Sequence, residues 1–478
     1  MKIRLFVKQQ LSRILLSLML FSSLLSVGTT TLFSADVIDI GSRRELFADG
    51  FLIGKLAGDV KQVVHQPEPK EVVLVTGKPW EGNTSAYYTI FQDGDLYRMY
   101  YRGSHASGPG GKGTHPEVTC YAESKDGVHW TKPELGLFEF KGSKKNNIVW
   151  DGIGTHCFTA FKDLNPKCPA EARYKAISRG RPQGKKGLYV FQSPDGIHWK
   201  LIKDEPVITT GAFDSQNLAF WDPHLGSYRE FHRTFVDGVR AIMTGTSKDY
   251  VTWSKPELLK YTGAPKEHLY TNAIRTYARA PHLLIGFPTR YLPNEGSRVE
   301  PIFMISRDGK TFHRWNEPVI PESAPQDRGG NRSNYMTWGL LSLPGKPNEL
   351  SVYGTEAYYS GPDSRVRRFA YRVDGFVSVQ ASDAGGTLLT KPFTFTGKRL
   401  RLNYVTHDGG SVKVTVADEQ GKPIKGFAEN AAKPISGDFV DQVVSWKTGT
   451  DVSGLAGKVV RLRFHLKNAD LYSLRFEP

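Results

Sequence analysis

The chain of 478 residues contains few cysteines and, beyond its N-terminus, no long hydrophobic run. Three cysteines are too few for a disulfide scaffold, and none belongs to a C-x-x-C pair. H-E-x-x-H, EF-hand and phosphate-loop patterns are also missing, so residue spacing predicts no metal site and no cofactor, with a structural Ca²⁺ ion left open. Long amphipathic helical patterns are absent as well, which excludes a helical bundle or a coiled coil.

The cysteines and one glycine-rich segment have simple structural interpretations. Cys157 and Cys168, eleven residues apart, could close a hairpin by a disulfide and leave Cys120 free, but three small buried side chains are the favoured alternative. The glycine-rich segment 103–115 lacks the Lys-Ser/Thr pair of a phosphate loop, and no helical pattern follows it. We expect a mobile surface loop there.

The N-terminus carries a targeting signal. Four cations within the first 13 residues precede an apolar run, residues 14–27, that is too short to span a bilayer comfortably. We expect residues 1–35 to be an export signal cleaved between residues 28 and 35, with an uncleaved anchor as the alternative. The protein is therefore expected in the periplasm or outside the cell, with no membrane span in the mature chain.

Basic residues outnumber acidic ones. The formal net charge is +15, and four of the positive charges lie in the predicted signal, which leaves an excess of about eleven. Export argues against a nucleic-acid partner, and a sulfated or uronic polysaccharide is the exported polyanion that such a surface would attract. The alternative is a solvated basic face. The basic clusters on turn-like segments are Lys141, Lys144 and Lys145; Arg179, Arg181, Lys185 and Lys186; and Arg365, Arg367 and Arg368.

An internal repeat leads to the fold prediction. Its aspartates are 69, 54, 59 and 66 residues apart. Such a period suits one four-stranded sheet per repeat, so residues 36–380 are predicted to form a five-bladed β-propeller. The repeat is Ser-x-Asp with an aromatic side chain four positions after the aspartate, at 123–130, 192–199, 246–253 and 305–312, with a weaker copy at 371–376.

Each repeat has the chemistry of a tight hairpin. The Asp-Gly pair supplies a turn with positive φ, and the serine two positions before the aspartate can bond the backbone of that turn. The aromatic side chain is expected to pack between neighbouring sheets. These features indicate architecture and carry no information about catalysis.

The repeat stops near residue 383, and the remaining sequence alternates between apolar and polar residues in short runs. Residues 383–478 are therefore predicted to form an antiparallel β-sandwich accessory domain. Residues 36–75 are expected to add a strand that closes the propeller ring or packs on the sandwich. The predicted fold class is all-β, a five-bladed propeller followed by a C-terminal sandwich.

The connections that lead into the innermost strands of a propeller form one face, where a polar ligand pocket is expected. Here those connections are rich in side chains that both donate and accept hydrogen bonds, as sugar hydroxyls require, and in aromatic rings that suit pyranose faces. The candidate substrate-binding residues are Trp80, Asn83, Asp151, His156, Gln216, Asn217, His268, Tyr270, Asn272, Arg328 and Arg332.

Residues 40–380 resemble the five-bladed propeller glycoside hydrolases of families 32 and 43, and in particular exported planctomycete-type proteins labelled family-32-like. The resemblance is carried by the repeats and by three motifs, Trp80-Glu81-Gly82, residues 213–217 and residues 267–274. The C-terminal segment resembles their accessory domain. The resemblance implies acidic residues on the first blades, one as nucleophile or base and one as acid.

Carried over to this chain, the resemblance gives three candidate catalytic carboxylates. Glu81 matches the first-blade position, Asp214 matches the third-blade acid, and Glu267 competes for the acid role. The Trp-x-Asn-Asp-Pro and Arg-Asp-Pro motifs of family 32 are missing, and Asp151 is the nearest second-blade carboxylate. For each carboxylate a structural role in a turn or an ion pair stays open.

The resemblance therefore implies an exported glycoside hydrolase that acts on a poly- or oligosaccharide by acid/base chemistry of carboxylates. Two other functions stay open. One is a non-catalytic carbohydrate-binding propeller, and the other is a sialidase-like glycosidase, suggested by the Ser-x-Asp hairpins.

Overall fold

A computed structural model of the chain describes residues 37–107, 111–321 and 334–478. The predicted export signal lies outside these ranges, as do Arg328 and Arg332. Within them the chain forms β-strands and three single-turn 3-10 helices, and no α-helix occurs, so the fold is all-β. No helix in these ranges is long and apolar enough to cross a membrane.

The strands are numbered in chain order. Those of the first half are β1 (Ile38–Asp39), β2 (Glu45–Leu46), β3 (Ile53–Val64), β4 (Glu68–Val75), β5 (Ala86–Asp93), β6 (Leu96–Gly103), β7 (Val118–Ser124), β8 (Trp130–Thr131), β9 (Ile148–Trp150), β10 (Thr159–Lys162), β11 (Tyr174–Gly180), β12 (Gly187–Ser193), β13 (Lys200–Leu201), β14 (Leu218–Asp222), β15 (Ser227–Val236) and β16 (Val239–Ser247).

Those of the second half are β17 (Glu257–Leu258), β18 (Lys260–Thr262), β19 (His268–Leu269), β20 (Arg275–Tyr277), β21 (Ala280–Gly286), β22 (Thr289–Leu292), β23 (Arg298–Ser306), β24 (Thr311–Pro318), β25 (Tyr335–Leu341), β26 (Glu349–Glu356), β27 (Arg365–Arg372), β28 (Val377–Thr390), β29 (Phe393–Thr394), β30 (Arg399–Ala417), β31 (Asp438–Val443) and β32 (Arg461–Glu477). The 3-10 helices are Ala170–Ala172, Pro182–Gly184 and Ser453–Leu455.

Five groups of strands follow one another along the chain, and we call them sheets 1 to 5; their pairs are antiparallel apart from β18 with β24 in sheet 4, which is parallel. Sheet 1 contains β5 to β8, sheet 2 contains β10 to β13, and sheet 3 contains β14 to β17. Sheet 4 has the order β18-β24-β23-β21-β20, with β22 beside β23. Sheet 5 has the order β4-β27-β26-β25, so a strand from the N-terminal region completes it. One parallel pair, Trp338 with Thr89, joins sheet 5 to sheet 1.

The predicted hairpin chemistry is present at the repeats. In sheet 1 the Ser124 hydroxyl accepts from the backbone N–H of Gly127 at 2.9 Å, and Gly127 has φ of 75°. Trp130 packs against Tyr353 of sheet 5, with ring centroids 6.5 Å apart. The same geometry recurs at Gly196 of sheet 2, whose carbonyl accepts from the hydroxyl of Tyr100 in sheet 1 at 2.7 Å. Each turn thus fastens one sheet to its neighbour.

The C-terminal strands form a separate sheet with the order β3-β28-β32-β30-β31, and β2 pairs with β32. Alternate side chains of β30 and β32 are buried in a second apolar core, which includes Leu402, Phe464 and Trp446. The N-terminal segment thus contributes to both parts, through β3 here and through β4 in sheet 5.

The predicted boundary at residues 380–383 falls inside a strand rather than in a linker. Strand β28 runs from Val377 to Thr390 and pairs with β3 and β32 on its two sides, with an irregularity in register between Ala381 and Gly386. The small polar residues 382–385 lie at this irregularity, and residues 382–384 are exposed, while the residues on either side of them are paired with both neighbouring strands. The number of blades and the separate sandwich domain stay predictions.

Candidate functional site

Two cavities, of about 820 and 670 Å³, meet at His156 and Asp214, and together we call them the cleft. These residues precede β10 and β14, and Tyr270 of the second cavity precedes β20, so connections leading into first strands of sheets supply the cleft. The other charged side chains lining the cleft are Arg102, Glu117, Arg179, Arg181, Lys186 and Arg233.

The loop that carries Asp214 is held by buried amides. The side-chain amide of Asn217 donates to the backbone carbonyls of Phe213 and Ser215, at 3.1 and 2.9 Å. The hydroxyl of Ser215 donates to the backbone carbonyl of Tyr270 at 2.6 Å, which joins this loop to the next cleft segment. These bonds fix the backbone on both sides of Asp214 while its carboxylate stays 58% exposed.

His156 lies between two carboxylates. Its Nε2 is 3.0 Å from Oδ1 of Asp214, and its Nδ1 is 2.9 Å from Oε2 of Glu117. The guanidinium of Arg102 reaches the same group, with Nη1 3.4 Å from Oε1 of Glu117. Arg102 is buried and donates to the backbone carbonyl of Thr84 at 2.6 Å, so its position is fixed. The Glu117–His156–Asp214 chain therefore has a rigid cationic neighbour.

Both carboxylates of this chain are stabilised in their ionised form. The His156 hydrogen bond, reinforced by the charges of His156, Arg179 and Arg233, holds the pKa of Asp214 far below its usual range. Burial raises the pKa of Glu117, but the hydrogen bond from His156 and the nearby positive charges outweigh burial and leave that pKa lowered. An ionised, accessible Asp214 can act as a nucleophile or as a general base.

Tyrosines form one wall of the cleft. Tyr87 has a positive φ of 58°, a costly conformation for a bulky residue, and its ring lies 5.4 Å from that of His156. The Gln216 side-chain amide donates to the backbone carbonyl of Tyr88 at 3.2 Å and so supports this backbone. Tyr358 accepts from Arg102 at 2.9 Å. Burial raises the pKa of Tyr358, so its hydroxyl stays protonated and can bond a ligand.

Of the three predicted catalytic carboxylates, the structure brings only Asp214 into the cleft. The Glu81 side chain is fully buried, accepts from the Tyr101 hydroxyl at 2.6 Å and pairs with Lys132 at 2.7 Å. Glu267 lies between Arg290 and Arg314 and lines neither cavity. Each of the two is paired with a basic residue from another segment, and neither lines a cavity.

The predicted binding residues divide in a similar way. His156 and Tyr270 line the cleft, whereas Asn217 and Gln216 support its loops from below. Asp151 is exposed beside the cleft, and it lines neither cavity. The remaining described candidates hold structure: Trp80 bonds Asn147, Asn83 bonds Ala106 and Gly361, His268 bonds Arg240, and Asn272 is buried next to Ile274.

Sequence reasoning missed Arg102, Glu117 and Arg233. Glu117 lies two residues after the glycine-rich segment 103–115, which was expected to be a mobile surface loop, and residues from the described part of that segment line the second cavity. Arg102 and Arg233 are inside strands β6 and β15, each of which contains a second arginine, so the sequence offered no signal that singled them out. Cys120, Cys157 and Cys168 are all free, and the first two are buried, as the favoured interpretation expected.

No protein-family model matches the chain. Two uncharacterised proteins of Mycobacterium tuberculosis, from strains CDC 1551 and H37Rv, are each 29% identical to it over 143 residues, which make up 28% of this chain. The match spans 40% of the length of these relatives.

Solved structures of similar fold include carbohydrate-active proteins. A β-1,2-mannobiose phosphorylase from Listeria innocua has a TM-score of 0.47 at 12% identity, covering 64% of this chain and 96% of its own. An endo-arabinase from Bacteroides thetaiotaomicron has a TM-score of 0.42 at 12% identity, with coverages of 64% and 99%. An N-acetylgalactosamine deacetylase from F. plautii has a TM-score of 0.43 at 12% identity, with coverages of 66% and 97%.

Proposed function

We propose that the protein is a glycoside hydrolase whose reaction takes place at Asp214. The observation that carries the proposal is the Glu117–His156–Asp214 chain, in which an ionised, accessible carboxylate lies at the junction of two cavities. Asp214 would attack the anomeric carbon or activate a water, since its pKa keeps it charged. The surrounding tyrosines and apolar walls suit the faces and hydroxyls of sugar rings.

The Glu117–His156 pair would donate the proton to the leaving group. A glycosidase needs one group that is protonated before bond cleavage. The ring nitrogens of His156 lie within 3.0 Å of the carboxylates of Glu117 and Asp214, so a proton on the Glu117–His156 pair would lie directly beside Asp214. The pair would deliver this proton when a bound sugar displaces water from the cleft.

A second function, a non-catalytic carbohydrate-binding propeller, is favoured by one specific observation. The pKa values of Asp214 and Glu117 are both lowered, so neither residue is a carboxylic acid of the kind that most glycosidases use as proton donor. Under this alternative the polar chain would orient hydroxyl groups of the ligand rather than exchange protons with it.

The architecture proposed with this function is a five-bladed ring built from sheets 1 to 5, with strand β4 closing the ring and the C-terminal sheet belonging to an accessory sandwich. Export by the N-terminal segment belongs to the same proposal, because polysaccharides are met outside the cell. Residues 36–380 and 383–478 are the proposed domains.

The experiment compares the wild-type protein with Asp214→Asn on a panel of aryl glycosides and polysaccharides, with release of reducing ends as the readout. We expect the variant to lose at least 100-fold in turnover while its melting temperature changes little, because the amide keeps the shape but neither attacks carbon nor accepts the proton. Asp95→Asn, an exposed carboxylate on the β5–β6 turn, is the matched control. Saccharide binding without turnover in the wild-type protein would favour the binding propeller.

A further inference from the structure

The first cavity carries more positive than negative charge. Four cationic side chains line it, Arg179, Arg181, Lys186 and Arg233, against the single carboxylate of Asp214. Arg179 lies 2.9 Å from Asp214. Arg181 and Lys186 are exposed, and neither has an ion pair or a side-chain hydrogen bond within the described ranges. The cavity therefore keeps a positive field after Asp214 is counted.

Arg233 adds a buried guanidinium with few partners. Its side chain is only 6% exposed, and its Nε donates to the backbone carbonyl of Ala212 at 3.1 Å. Its terminal nitrogen Nη2 has Asp214 as its nearest acidic neighbour, at 3.9 Å, beyond hydrogen-bond distance. Flat contacts with Phe235 and Tyr270, at 5.4 and 5.2 Å, fix the group in place. A buried guanidinium in this state favours an anionic ligand that completes its hydrogen bonds.

The rest of the cavity wall suits a sugar ring. Ile153, Pro182, Phe213 and Phe235 give it apolar surfaces next to the cations. A volume of about 820 Å³ lies in the range of ligand pockets and leaves room for more than a small inorganic ion. Apolar walls would face the C–H side of a pyranose while the cations face a charged substituent.

We propose that this cavity is a binding subsite for an anionic group of a saccharide, a uronic carboxylate or a sulfate ester. Arg233 binds the group inside the cavity, and Arg181 and Lys186 bind it at the rim. The inference rests on the proposed function, in that the saccharide reaches Asp214 from this side. Uronic and sulfated sugars share the recognised chemistry, and the experiment distinguishes them.

Binding is measured by calorimetry with matched probes. Tri-galacturonate and its methyl ester have the same sugars and linkages and differ in charge, while glucose 6-sulfate and glucose form the sulfate pair. We expect at least tenfold tighter binding of one charged probe than of its neutral partner, with the difference shrinking at 1 M salt because the Debye length falls to about 3 Å. Which pair shows the difference identifies the anionic group.

Two double variants test whether the difference in affinity between charged and neutral probes arises in the first cavity. Arg181→Gln with Lys186→Gln should weaken binding of the charged probe at least tenfold. Lys144→Gln with Lys145→Gln removes the same charge from exposed positions outside both cavities and should change affinity less than twofold. Equal binding of charged and neutral probes, or equal losses in the two double variants, would overturn the inference. Circular dichroism melts confirm that both fold.

Failure of this inference is separable from failure of the proposed function, because the readout is binding. If Asp214→Asn retains full hydrolysis while charged probes still depend on Arg181 and Lys186, the catalytic role of Asp214 is wrong and the anionic subsite stands. If Asp214→Asn abolishes hydrolysis but charged and neutral probes bind alike, the anionic subsite is wrong and the catalytic role of Asp214 stands.

Discussion

Nε2 of His156 lies 3.0 Å from Oδ1 of Asp214, and this contact is the largest cause of the lowered pKa of that aspartate. Replacing His156 by alanine removes both the hydrogen bond and the positive charge, so the pKa of Asp214 should rise toward the ordinary value of about 4. Because activity requires ionised Asp214, a higher pKa of this group means that activity is lost at a higher pH on the acid side. Turnover should also fall, because the variant lacks the proposed proton donor, and we expect the acid limb of the pH–rate profile of the remaining activity to move upward by at least one pH unit.

His156→Gln serves as the comparison, because its amide can still donate to Asp214 without carrying charge. Its acid limb should lie between those of the wild-type protein and His156→Ala. An acid limb that is identical in all three proteins would show that His156 does not control the ionisation that activity requires.

The second prediction distinguishes a role of Glu81 in the stability of the fold from a role in catalysis. Its fully buried carboxylate pairs with Lys132 and accepts from Tyr101. In Glu81→Gln the Lys132 ammonium, 14% exposed, loses its charged partner, so we expect a loss of about 3 kcal/mol in the free energy of unfolding. Urea unfolding measures it, with the exposed Glu139→Gln as control. Turnover of the folded fraction should stay near wild type, and a stable but inactive variant would return Glu81 to the catalytic group.

The repeat shows how far the fold follows from local sequence. Ser124, Asp126 and Gly127 form a turn whose hydrogen bonds all lie within four residues, so its geometry depends on sequence that can be read directly. The path of strand β28 could not be read in the same way. Its small polar residues 382–385 resemble a linker, and they lie inside a strand because the residues before and after them pair with β3, more than 300 residues earlier in the chain, and with β32.

The third prediction concerns glycines with positive φ. Gly127 has φ of 75°, and a Cβ there would lie 2.4 Å from Cδ2 of the buried Leu343. Gly94 has φ of 62°, with no atom within 4 Å of such a Cβ. Gly94→Ala should therefore lower the free energy of unfolding only through backbone strain at positive φ, by about 1 to 2 kcal/mol. Gly127→Ala should cost about 1 to 3 kcal/mol more, because the sheet interface must move.

Chemical denaturation of the two alanine variants measures both terms. Equal losses of stability would mean that the contact between this turn and Leu343 adapts without cost, and the packing of the repeat between sheets would then matter less than its backbone geometry.

The cleft was only partly predictable because its residues come from distant segments. His156, Asp214 and Tyr270 precede first strands of sheets, so a topological rule located them. Arg102 and Arg233 are buried strand residues, and only the assembled structure shows that they line a cavity. The motif at Glu81 did not distinguish a cleft residue from a buried one, since a carboxylate beside a tryptophan and a glycine is equally suited to a buried ion pair.

Glu45 gives the last prediction, a dependence of stability on pH. Its carboxylate is fully buried between Arg43, Arg307 and His282, with contacts of 2.7 to 3.1 Å. Burial raises its pKa, but the hydrogen bonds and charges of these neighbours lower it further, to about 2. Because the folded-state pKa lies below the unfolded one, ionised Glu45 stabilises the fold at pH values above about 4.5 and loses this effect as the pH falls toward 2.

At pH 7, Glu45→Gln should therefore be less stable than the wild-type protein by about 3 kcal/mol, which corresponds to the pKa difference between the two states. The gap should narrow progressively below pH 4.5, since the wild-type carboxylate takes up a proton on unfolding and the amide does not. Urea unfolding at a series of pH values measures the gap, with Glu139→Gln, an exposed glutamate, expected to follow the wild-type protein throughout. A gap that stays constant between pH 7 and pH 3 would show that the cost of the substitution comes from lost hydrogen bonds and packing, because neither of those changes with protonation of Glu45.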